Sequence, residues 1–148
     1  MEKKVTTSEG WFELQMESDL KNLEIVSDFI AKTMRDLGAK EEKDIFDVQL
    51  AVDEALTNII EHAYSGEKGG KIIIRCRMLE FPKEFVVKLR DSGKPFDPQA
   101  VLAPNTEAKL DERKVGGLGI YFMKRLMQSV KYAIDDKGNE LTMTKLLH

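Results

Sequence analysis

Hydrophobic residues recur at helical spacing in two successive stretches of this chain, and each stretch predicts an amphipathic helix. The first begins at the start signal Ser18-Asp19 and ends at Gly38, since a glycine commonly follows the last turn of a helix. Asp44 is predicted to cap the second helix, which continues to about Tyr64. The two apolar stripes are Leu20, Leu23, Val26, Ile30, Met34 and Leu37, and then Ile45, Val48, Val52, Ala55, Leu56, Ile59 and Ala63.

Alternation of apolar and polar positions predicts strands in most of the remaining chain. The predicted strands are residues 11–16, 72–78, 85–90, 130–134 and 141–146, and residues 1–10 show no regular pattern. A short apolar stripe after residue 119 predicts a third helix, and the polar segment 99–115 predicts a functional, lid-like loop. This order of elements predicts an α+β fold, a two-layer sandwich in which a mixed, mostly antiparallel sheet packs on helices.

Composition and charge narrow the class of protein. The chain has 148 residues, of which 42% are hydrophobic and 33% charged, so we expect residues 1–148 to form a single globular domain. No apolar run approaches the roughly 20 residues that span a bilayer. Residues 1–8 lack the apolar core of a signal peptide, so the expected location is the cytoplasm. The formal net charge of −3 argues against non-specific nucleic-acid binding, which needs a basic face.

Cysteine and histidine offer little chemistry. Cys76 is the only cysteine, which excludes an internal disulfide, and its place in an alternating strand predicts a buried core residue. The only histidines are His62 and His148, so a zinc site has almost no ligands available.

The polar face of the second helix carries Glu54, Asn58, Glu61 and His62, with Asp47 two turns before Glu54. A solvated face is the usual explanation of such a pattern, but surface helices favour Glu/Lys pairs over the amide and imidazole found here. The alternative is a functional face, in which Glu54 acts as a general base and Asn58 supplies an oxygen ligand for Mg²⁺. One amide is chemically sufficient, because Mg²⁺ keeps water and phosphate oxygens as its other ligands.

Two glycine-containing segments follow downstream. Asp91-Ser92-Gly93 is either an ordinary turn or a carboxylate that accepts from a ligand's amino group, with Gly93 leaving room for a flat ring. Gly116-Gly117-Leu118-Gly119 is either a hinge or a phosphate cradle of backbone N–H groups at a helix N-terminus. It is not a dinucleotide fingerprint, because a loop precedes it and Phe122 replaces the third glycine. The chain contains no P-loop motif either.

Glu54-x-x-x-Asn58, Asp91-x-Gly93 and Gly116-Gly117-Leu118-Gly119, in this order and spacing, resemble the Bergerat-type (GHKL) ATP-binding domain of gyrase, histidine kinases and mismatch-repair ATPases. Within that superfamily, the short length and the Gly-x-Pro-Phe-Asp-Pro segment at 93–98 most resemble the anti-sigma-factor serine/threonine kinases. The resemblance covers the chain from about residue 12 to residue 147. It implies the Bergerat ATP-binding fold, as a single histidine-kinase-like ATPase domain with ATP and Mg²⁺ as cofactors.

The resemblance also implies a role for each matching residue. Glu54 matches the general base, Asn58 the magnesium ligand, and His62 a position that often touches phosphate. Asp91 matches the carboxylate that accepts from the adenine amino group, with Gly93 beside the ring. The backbone implied to hold the phosphates is that of Gly116, Gly117, Leu118 and Gly119.

The function implied by the resemblance is an ATP- and Mg²⁺-dependent serine/threonine protein kinase that regulates transcription by partner switching. Its implied partners are a sigma factor, which it sequesters, and a small anti-sigma antagonist, whose serine it phosphorylates. A homodimer is also implied, without direct contact to nucleic acid or membrane. Two alternatives remain open: a related switch kinase that activates a phosphatase, and a non-catalytic, ATP-gated protein-binding module, which the intact Glu54 disfavours.

Two positions depart from the family pattern. Pro95 stands where many relatives have a second glycine, and Asn139-Glu140 stands where relatives usually carry a threonine with a water-mediated adenine contact. We therefore expect the contact near Asn139 to be altered. A histidine-kinase phosphoacceptor role for His62 is disfavoured, because His62 lies within the ATP-binding helix and no separate helical hairpin carries a phosphorylatable histidine.

Overall fold

The computed structural model of the chain describes residues 5–96 and 123–148. Its strands are β1 (Val5–Ser8), β2 (Trp11–Glu17), β3 (Lys71–Leu79), β4 (Glu84–Asp91), β5 (Ser129–Asp135) and β6 (Gly138–Leu146). Its helices are a 3-10 turn (Leu20–Asn22), α1 (Leu23–Asp36), α2 (Glu42–Asn58) and a π-helical turn (Ile59–Ala63), and residues 123–126 are also helical. The elements follow the predicted order, except that β1 was not predicted. None of the helices in these two ranges is long and apolar enough to cross a bilayer.

The six described strands form one sheet in the order β1-β2-β3-β4-β6-β5. Each neighbouring pair is antiparallel, and the predicted α+β two-layer architecture is confirmed. β4 pairs with β6, which places Asp91 opposite Asn139 and Leu89 opposite Leu141. The start of β6 therefore lies directly beside the end of β4, although the two are distant in sequence.

One face of the sheet packs against α1 and α2 and forms the core. Alternate residues of β3, namely Ile72, Ile74 and Cys76, are fully buried, as expected for a strand with one buried face. The helix residues on this face that are at most 4% exposed include Val26, Ile30, Met34, Ile45, Val48, Val52, Ala55, Leu56, Ile59 and Ala63. Burial raises the pKa of the Cys76 thiol, so Cys76 is an unreactive core residue, as predicted.

Both helix starts differ from the prediction. α1 begins only after the 3-10 turn, so Leu20 lies outside it and is 52% exposed. α2 begins at Glu42, so Asp44 lies inside its first turn and does not occupy the cap. The buried Asp44 carboxylate instead accepts from the backbone N of His148 at 2.9 Å and lies 2.9 Å from Nδ1 of the same residue. Asp44 thus ties the segment after β6 to α2.

Asp47, predicted on the polar face of α2, is buried and forms an ion pair. Lys145 Nζ, from β6, donates to Asp47 Oδ2 at 3.0 Å and to the Leu126 carbonyl at 2.8 Å. Lys43 Nζ donates to the same carboxylate oxygen at 3.0 Å. Burial by itself would raise the pKa of Asp47, but the hydrogen bonds from Lys145 and Lys43 outweigh it and lower that pKa. Lys145 therefore fixes α2, β6 and the helical segment 123–126 relative to one another.

Candidate functional site

A narrow cleft lies where the second half of α2 meets the end of β4 and the start of β6. Its lining residues are Ala55, Asn58, Ile59, Asp91, Phe96, Met123, Tyr132 and Leu141. Asn58 comes from α2 and Asp91 from β4, so two residues predicted from separate motifs line the same cleft. The fold brings them together because α2 packs across the sheet face where β4 ends.

Asn58, which lines the cleft, and its neighbours one turn away, Glu54 and His62, form what we call the helix side. Asn58 is 1% exposed, and its Nδ2 donates to the Glu54 carbonyl at 2.9 Å. Because a carbonyl can only accept, this bond identifies Nδ2 and leaves Oδ1 as a buried oxygen with no hydrogen bond to any described residue. An unsatisfied buried acceptor costs about 1–3 kcal/mol, and a cation or donor in the cleft would remove that cost.

Glu54 lies one turn before Asn58 and is half-buried. Burial raises the pKa of Glu54, and the neighbouring carboxylates Asp53 and Glu61 raise it further. Burial also raises the pKa of Asp53. A carboxylate with a raised pKa is a stronger base near neutral pH, so this environment suits a residue that takes up a proton during a reaction.

His62 lies in the π-helical turn that continues α2, and such turns are rare and frequent at functional sites. Its Nε2 is buried and has no hydrogen-bond partner within residues 5–96 and 123–148. The His62 ring centroid is 5.4 Å from that of Phe96, which in turn is 5.7 Å from that of Tyr132. The position of Phe96 therefore limits the space between the two sides of the cleft.

Asp91, which lines the cleft, and its hydrogen-bond partners Gly93 and Asn139 form what we call the strand side. Asp91 is 2% exposed and Asn139 1% exposed. Asp91 Oδ1 accepts from Asn139 Nδ2 at 2.8 Å and from the backbone N of Gly93 at 2.9 Å, and Asn139 Nδ2 also donates to the Gly93 carbonyl at 3.0 Å. Burial raises the pKa of Asp91, while the hydrogen bonds from Asn139 and Gly93 act in the opposite direction. These three residues hold one another in a closed triangle.

Two glycines allow backbones to approach closely around Asp91. A Cβ at Gly93 would lie 2.5 Å from the Ala63 carbonyl oxygen, which also accepts from the backbone N of Lys94 at 2.7 Å. A Cβ at Gly138 would overlap the carbonyl oxygen of Asp91. Gly93 therefore has a structural reason to be glycine that is separate from the expected room for a flat ring.

Sequence reasoning missed several residues of this site. Tyr64 braces the strand side from the end of the helix, because its hydroxyl donates to the Lys71 carbonyl at 2.5 Å and accepts from the backbone N of Ser92 at 2.9 Å. Phe96 and Tyr132 also line the cleft, and no motif assigned either of them a role in ligand binding. An aromatic residue at a helix end or in an alternating strand has no spacing that distinguishes it from core.

The third predicted motif lies outside the described residues. Gly116, Gly117, Leu118 and Gly119, together with the predicted lid at 99–115, fall within residues 97–122. Met123, the first described residue after that range, is 1% exposed and lines the cleft. The chain therefore returns to the described part of the fold beside Asn58 and Asp91.

A larger and more open cleft, of about 570 Å³, lies elsewhere, near the ends of β2 and β3. Its lining residues are Gln15, Met16, Glu17, Asp19, Lys21, Asn22, Gly69 and Lys71, which include none of the predicted site residues. Lys21 and Asp19 in this cleft already face each other at 3.7 Å. Volume alone would select this cleft, but Asn58, with its unpartnered Oδ1, lines the narrow one. The ring of His62, with its unpartnered Nε2, contacts Phe96 of the narrow cleft.

Comparison with known proteins agrees with this arrangement. The family of the histidine kinase-like ATPase domain matches residues 16–145. The serine-protein kinase RsbW of Bacillus velezensis is 32% identical over 148 residues, which cover 97% of this chain and 90% of the relative. RsbW of Bacillus licheniformis is 39% identical over 109 residues, which cover 71% of this chain and only 66% of the relative. The serine/threonine-protein kinase BtrW of Bordetella bronchiseptica is 32% identical over 99 residues, covering 67% and 68%.

A solved structure supports the fold. The crystal structure of the RsbU and RsbW domains of Rv1364c from Mycobacterium tuberculosis aligns with a TM-score of 0.63 at 17% identity, covering 91% of this chain and 32% of that one. At this identity the likeness concerns the fold alone, while the family assignment rests on the matches in sequence. The chain therefore belongs to the anti-sigma-factor serine kinases of the histidine kinase-like (GHKL) ATPase superfamily, as its motifs predicted.

Proposed function

We propose that this protein is an ATP- and Mg²⁺-dependent serine/threonine protein kinase that acts as an anti-sigma factor and phosphorylates a small anti-sigma antagonist in a partner switch. The proposal depends above all on one observation. Asn58 and Asp91 line a single cleft, with Glu54 one helical turn from Asn58. In this arrangement Asp91 would face the adenine base and α2 the phosphate chain. The names of the relatives, all serine or serine/threonine kinases, supply the reaction class.

The polar atoms of the cleft fit a nucleotide with its metal. Asn58 Oδ1 is a buried oxygen without a hydrogen bond to any described residue, as a magnesium ligand would be before the metal binds. No group of three or more His, Cys, Asp or Glu in the described ranges could hold a metal alone. The metal site would therefore need phosphate oxygens to complete it, which is how Mg²⁺ is usually bound with nucleotides. When bound, Mg²⁺ would supply positive charge to the phosphates during transfer.

The chain's own residues would carry the remaining tasks. Glu54 would orient the serine hydroxyl of the antagonist and accept its proton, which its raised pKa favours. His62 Nε2 would donate to a phosphate oxygen. Asp91 would accept from the adenine amino group, with Gly93 at the turn beside it. The phosphates would also be held by the backbone of Gly116, Gly117, Leu118 and Gly119, with segment 99–115 closing over them and excluding water.

The wider arrangement belongs to the same proposal. The kinase would act in the cytoplasm as a homodimer, with residues 1–148 as a single domain. It would bind a sigma factor until the antagonist displaces it, without direct contact to nucleic acid or membrane. The formal net charge of −3 supports a protein partner over a nucleic-acid partner.

A labelled-ATP transfer assay tests this function. Purified protein is incubated with candidate antagonist proteins, with and without Mg²⁺, and phosphoserine is measured on the antagonist. Glu54→Gln should lower the transfer rate by roughly 10²–10⁴-fold, the usual contribution of a general base, while nucleotide affinity stays unchanged.

Glu24→Gln is the matched control, since Glu24 is an exposed carboxylate in the first turn of α1 and has no assigned role. Its transfer rate should stay close to that of the unmodified protein. Transfer that is unaffected by Glu54→Gln would contradict the assigned base. Nucleotide-dependent partner binding without any transfer would instead identify an ATP-gated binding module.

A further inference from the structure

We propose that Asn139 determines the base selectivity of the cleft by holding the Asp91 carboxylate ready for a purine with an exocyclic 6-amino group. This inference rests on the proposed function, because it concerns the base of the bound nucleotide. Asn139 is a positioning residue in this account, since it acts through Asp91 and need not touch the base itself.

The orientation of the Asn139 amide is fixed by its partners. Nδ2 lies 2.8 Å from Asp91 Oδ1 and 3.0 Å from the Gly93 carbonyl oxygen. Both partners are acceptors, so only the NH₂ group of the amide can face them, and its two protons satisfy one each. The amide is also 1% exposed, so water does not compete for these protons. Asn139 therefore binds Asp91 and the following turn together.

The same contacts divide the two oxygens of Asp91 between two tasks. Oδ1 accepts from both Asn139 Nδ2 and the backbone N of Gly93. Oδ2 has no hydrogen bond to either residue, and Asp91 lines the cleft. Rotation of the carboxylate would break two hydrogen bonds at once, so the free oxygen keeps its direction. That oxygen can only accept, which favours a 6-amino group and repels the carbonyl of a 6-oxo purine.

The backbone position of Asn139 is fixed by strand pairing. Asn139 is paired with Asp91 in the β4–β6 ladder, so a strand and not a loop determines its position. Gly138, just before it, has a φ of +149° and fits against the Asp91 carbonyl, where a Cβ would overlap that oxygen. Where the family resemblance implies a threonine that acts through water, this chain has an amide long enough to reach the carboxylate directly.

The test compares two nucleotides that differ only at position 6. Binding of ATP and of purine riboside triphosphate, which lacks the amino group, is measured by calorimetry on the full chain with Mg²⁺. Asn139→Ala should weaken ATP binding by roughly 10- to 100-fold, the loss expected when a hydrogen bond to a charged group is removed. The affinity for purine riboside triphosphate should change by less than about threefold, since no amino group is left to be positioned. The preference for ATP should therefore largely disappear.

Asn22→Ala is the matched control. Asn22 is also a buried asparagine, 3% exposed, but its Nδ2 donates to the Glu17 carbonyl at 3.0 Å and not to Asp91. It should lower thermal stability and leave the preference for ATP intact. If Asn139→Ala fails to fold, Asn139→Leu replaces it, because leucine fills the space of the amide and has no donor for Asp91 or Gly93.

Equal losses for both nucleotides, or an unchanged preference, would overturn the inference and leave Asn139 a purely structural role. Failure of both Asn139 variants to fold would do the same. If the unmodified protein binds neither nucleotide, the proposed function itself is wrong. The two failures are therefore distinguishable.

Discussion

On the strand side of the cleft, Asp91 is held by Asn139 and Gly93 before any ligand arrives, whereas on the helix side Asn58 Oδ1 and His62 Nε2 are buried without partners among the described residues. The strand side is thus complete by itself, and the helix side is incomplete. Both arrangements use the same kinds of group, so the difference lies in how the fold supplies hydrogen-bond partners.

This difference matches the two halves of a nucleotide. A base is rigid and neutral, so it is best recognised by a carboxylate whose direction is already fixed. Phosphates and Mg²⁺ bring their own charges, so they can satisfy polar atoms that the protein leaves unpaired. Those unpaired atoms each cost about 1–3 kcal/mol in the free protein. Nucleotide should consequently stabilise the folded state mainly through the helix side.

The strongest test of the comparison is Asp91→Asn. The asparagine would still accept from Gly93 and Asn139, but it would present an NH₂ group to the base, so ATP affinity should fall by about a hundredfold. Because burial raises the pKa of Asp91 in the folded chain, its ionisation lowers stability as pH rises through that value. The thermal midpoint of the nucleotide-free variant at pH 7 should therefore equal or exceed that of the unmodified protein.

Asp135→Asn is the matched control for that variant. Asp135 is an exposed carboxylate at the end of β5 and accepts from Arg90 of β4 at 2.7 Å. Its replacement should leave ATP affinity unchanged. A thermal midpoint of Asp91→Asn below that of the unmodified protein would mean that folding needs the charge of Asp91.

Lys145→Met tests whether the ion pair between β6 and α2 holds the strand side and the helix side of the cleft together. Removing the lysine leaves the buried Asp47 with only the exposed Lys43 and should lower the free energy of unfolding by about 3 kcal/mol. Because the pKa of Asp47 is lowered in the folded chain, its contribution to stability is lost as pH falls through that value, so the two proteins should converge in acid. Urea unfolding at pH 7 and at acid pH measures both effects.

Lys43→Met provides the comparison for that lysine. Its side chain is 80% exposed, so its contact with Asp47 should contribute less than about 1 kcal/mol. If Lys145→Met and Lys43→Met lower the free energy of unfolding equally, the buried contact of Asp47 contributes no more to stability than the exposed one.

Asn58→Leu should separate ligand binding from folding on the helix side. The substitution removes the unpaired Oδ1 and the hydrogen bond to Glu54 together, so the free energy of unfolding should change by less than about 1 kcal/mol. The affinity for ATP should fall roughly tenfold in the presence of Mg²⁺ and remain unchanged in its absence. Calorimetry with and without the metal measures both, and an equal loss in the two conditions would contradict the assignment of Asn58 to the metal.

The smallest expected effect concerns pH. The transfer rate should rise with pH as Glu54 loses its proton, with a midpoint above the usual range of a glutamate because its pKa is raised. The negative charge of Asp53 contributes to the raised pKa of Glu54. Asp53→Asn should therefore move the midpoint of the pH–rate profile downward by less than about one pH unit. A midpoint that stays in place would show that Asp53 does not act on the assigned base.

The sequence predicted most elements and the convergence of two motifs, because hydrophobic periodicity and ordered motifs are local signals. Local signals did not predict the burial of Asp47. Its position on α2 indicated a polar face, but it is buried against Lys145, which lies 98 residues later. The partner of Asp44 is also distant in sequence, because His148 lies 104 residues later. Asn139 was located only as a departure from the family pattern, because its contact with Asp91 exists only through the β4–β6 register.

That register has a consequence for synthesis. Asn139, Leu141 and Lys145 all come from β6, which follows the rest of the described fold along the chain, yet they complete the site at Asp91 and anchor α2. A nascent chain on the ribosome could fold its helices and first four strands and still lack the Asn139 contact that completes the strand side of the cleft. Translation products that stop before residue 138 should be inert toward nucleotide.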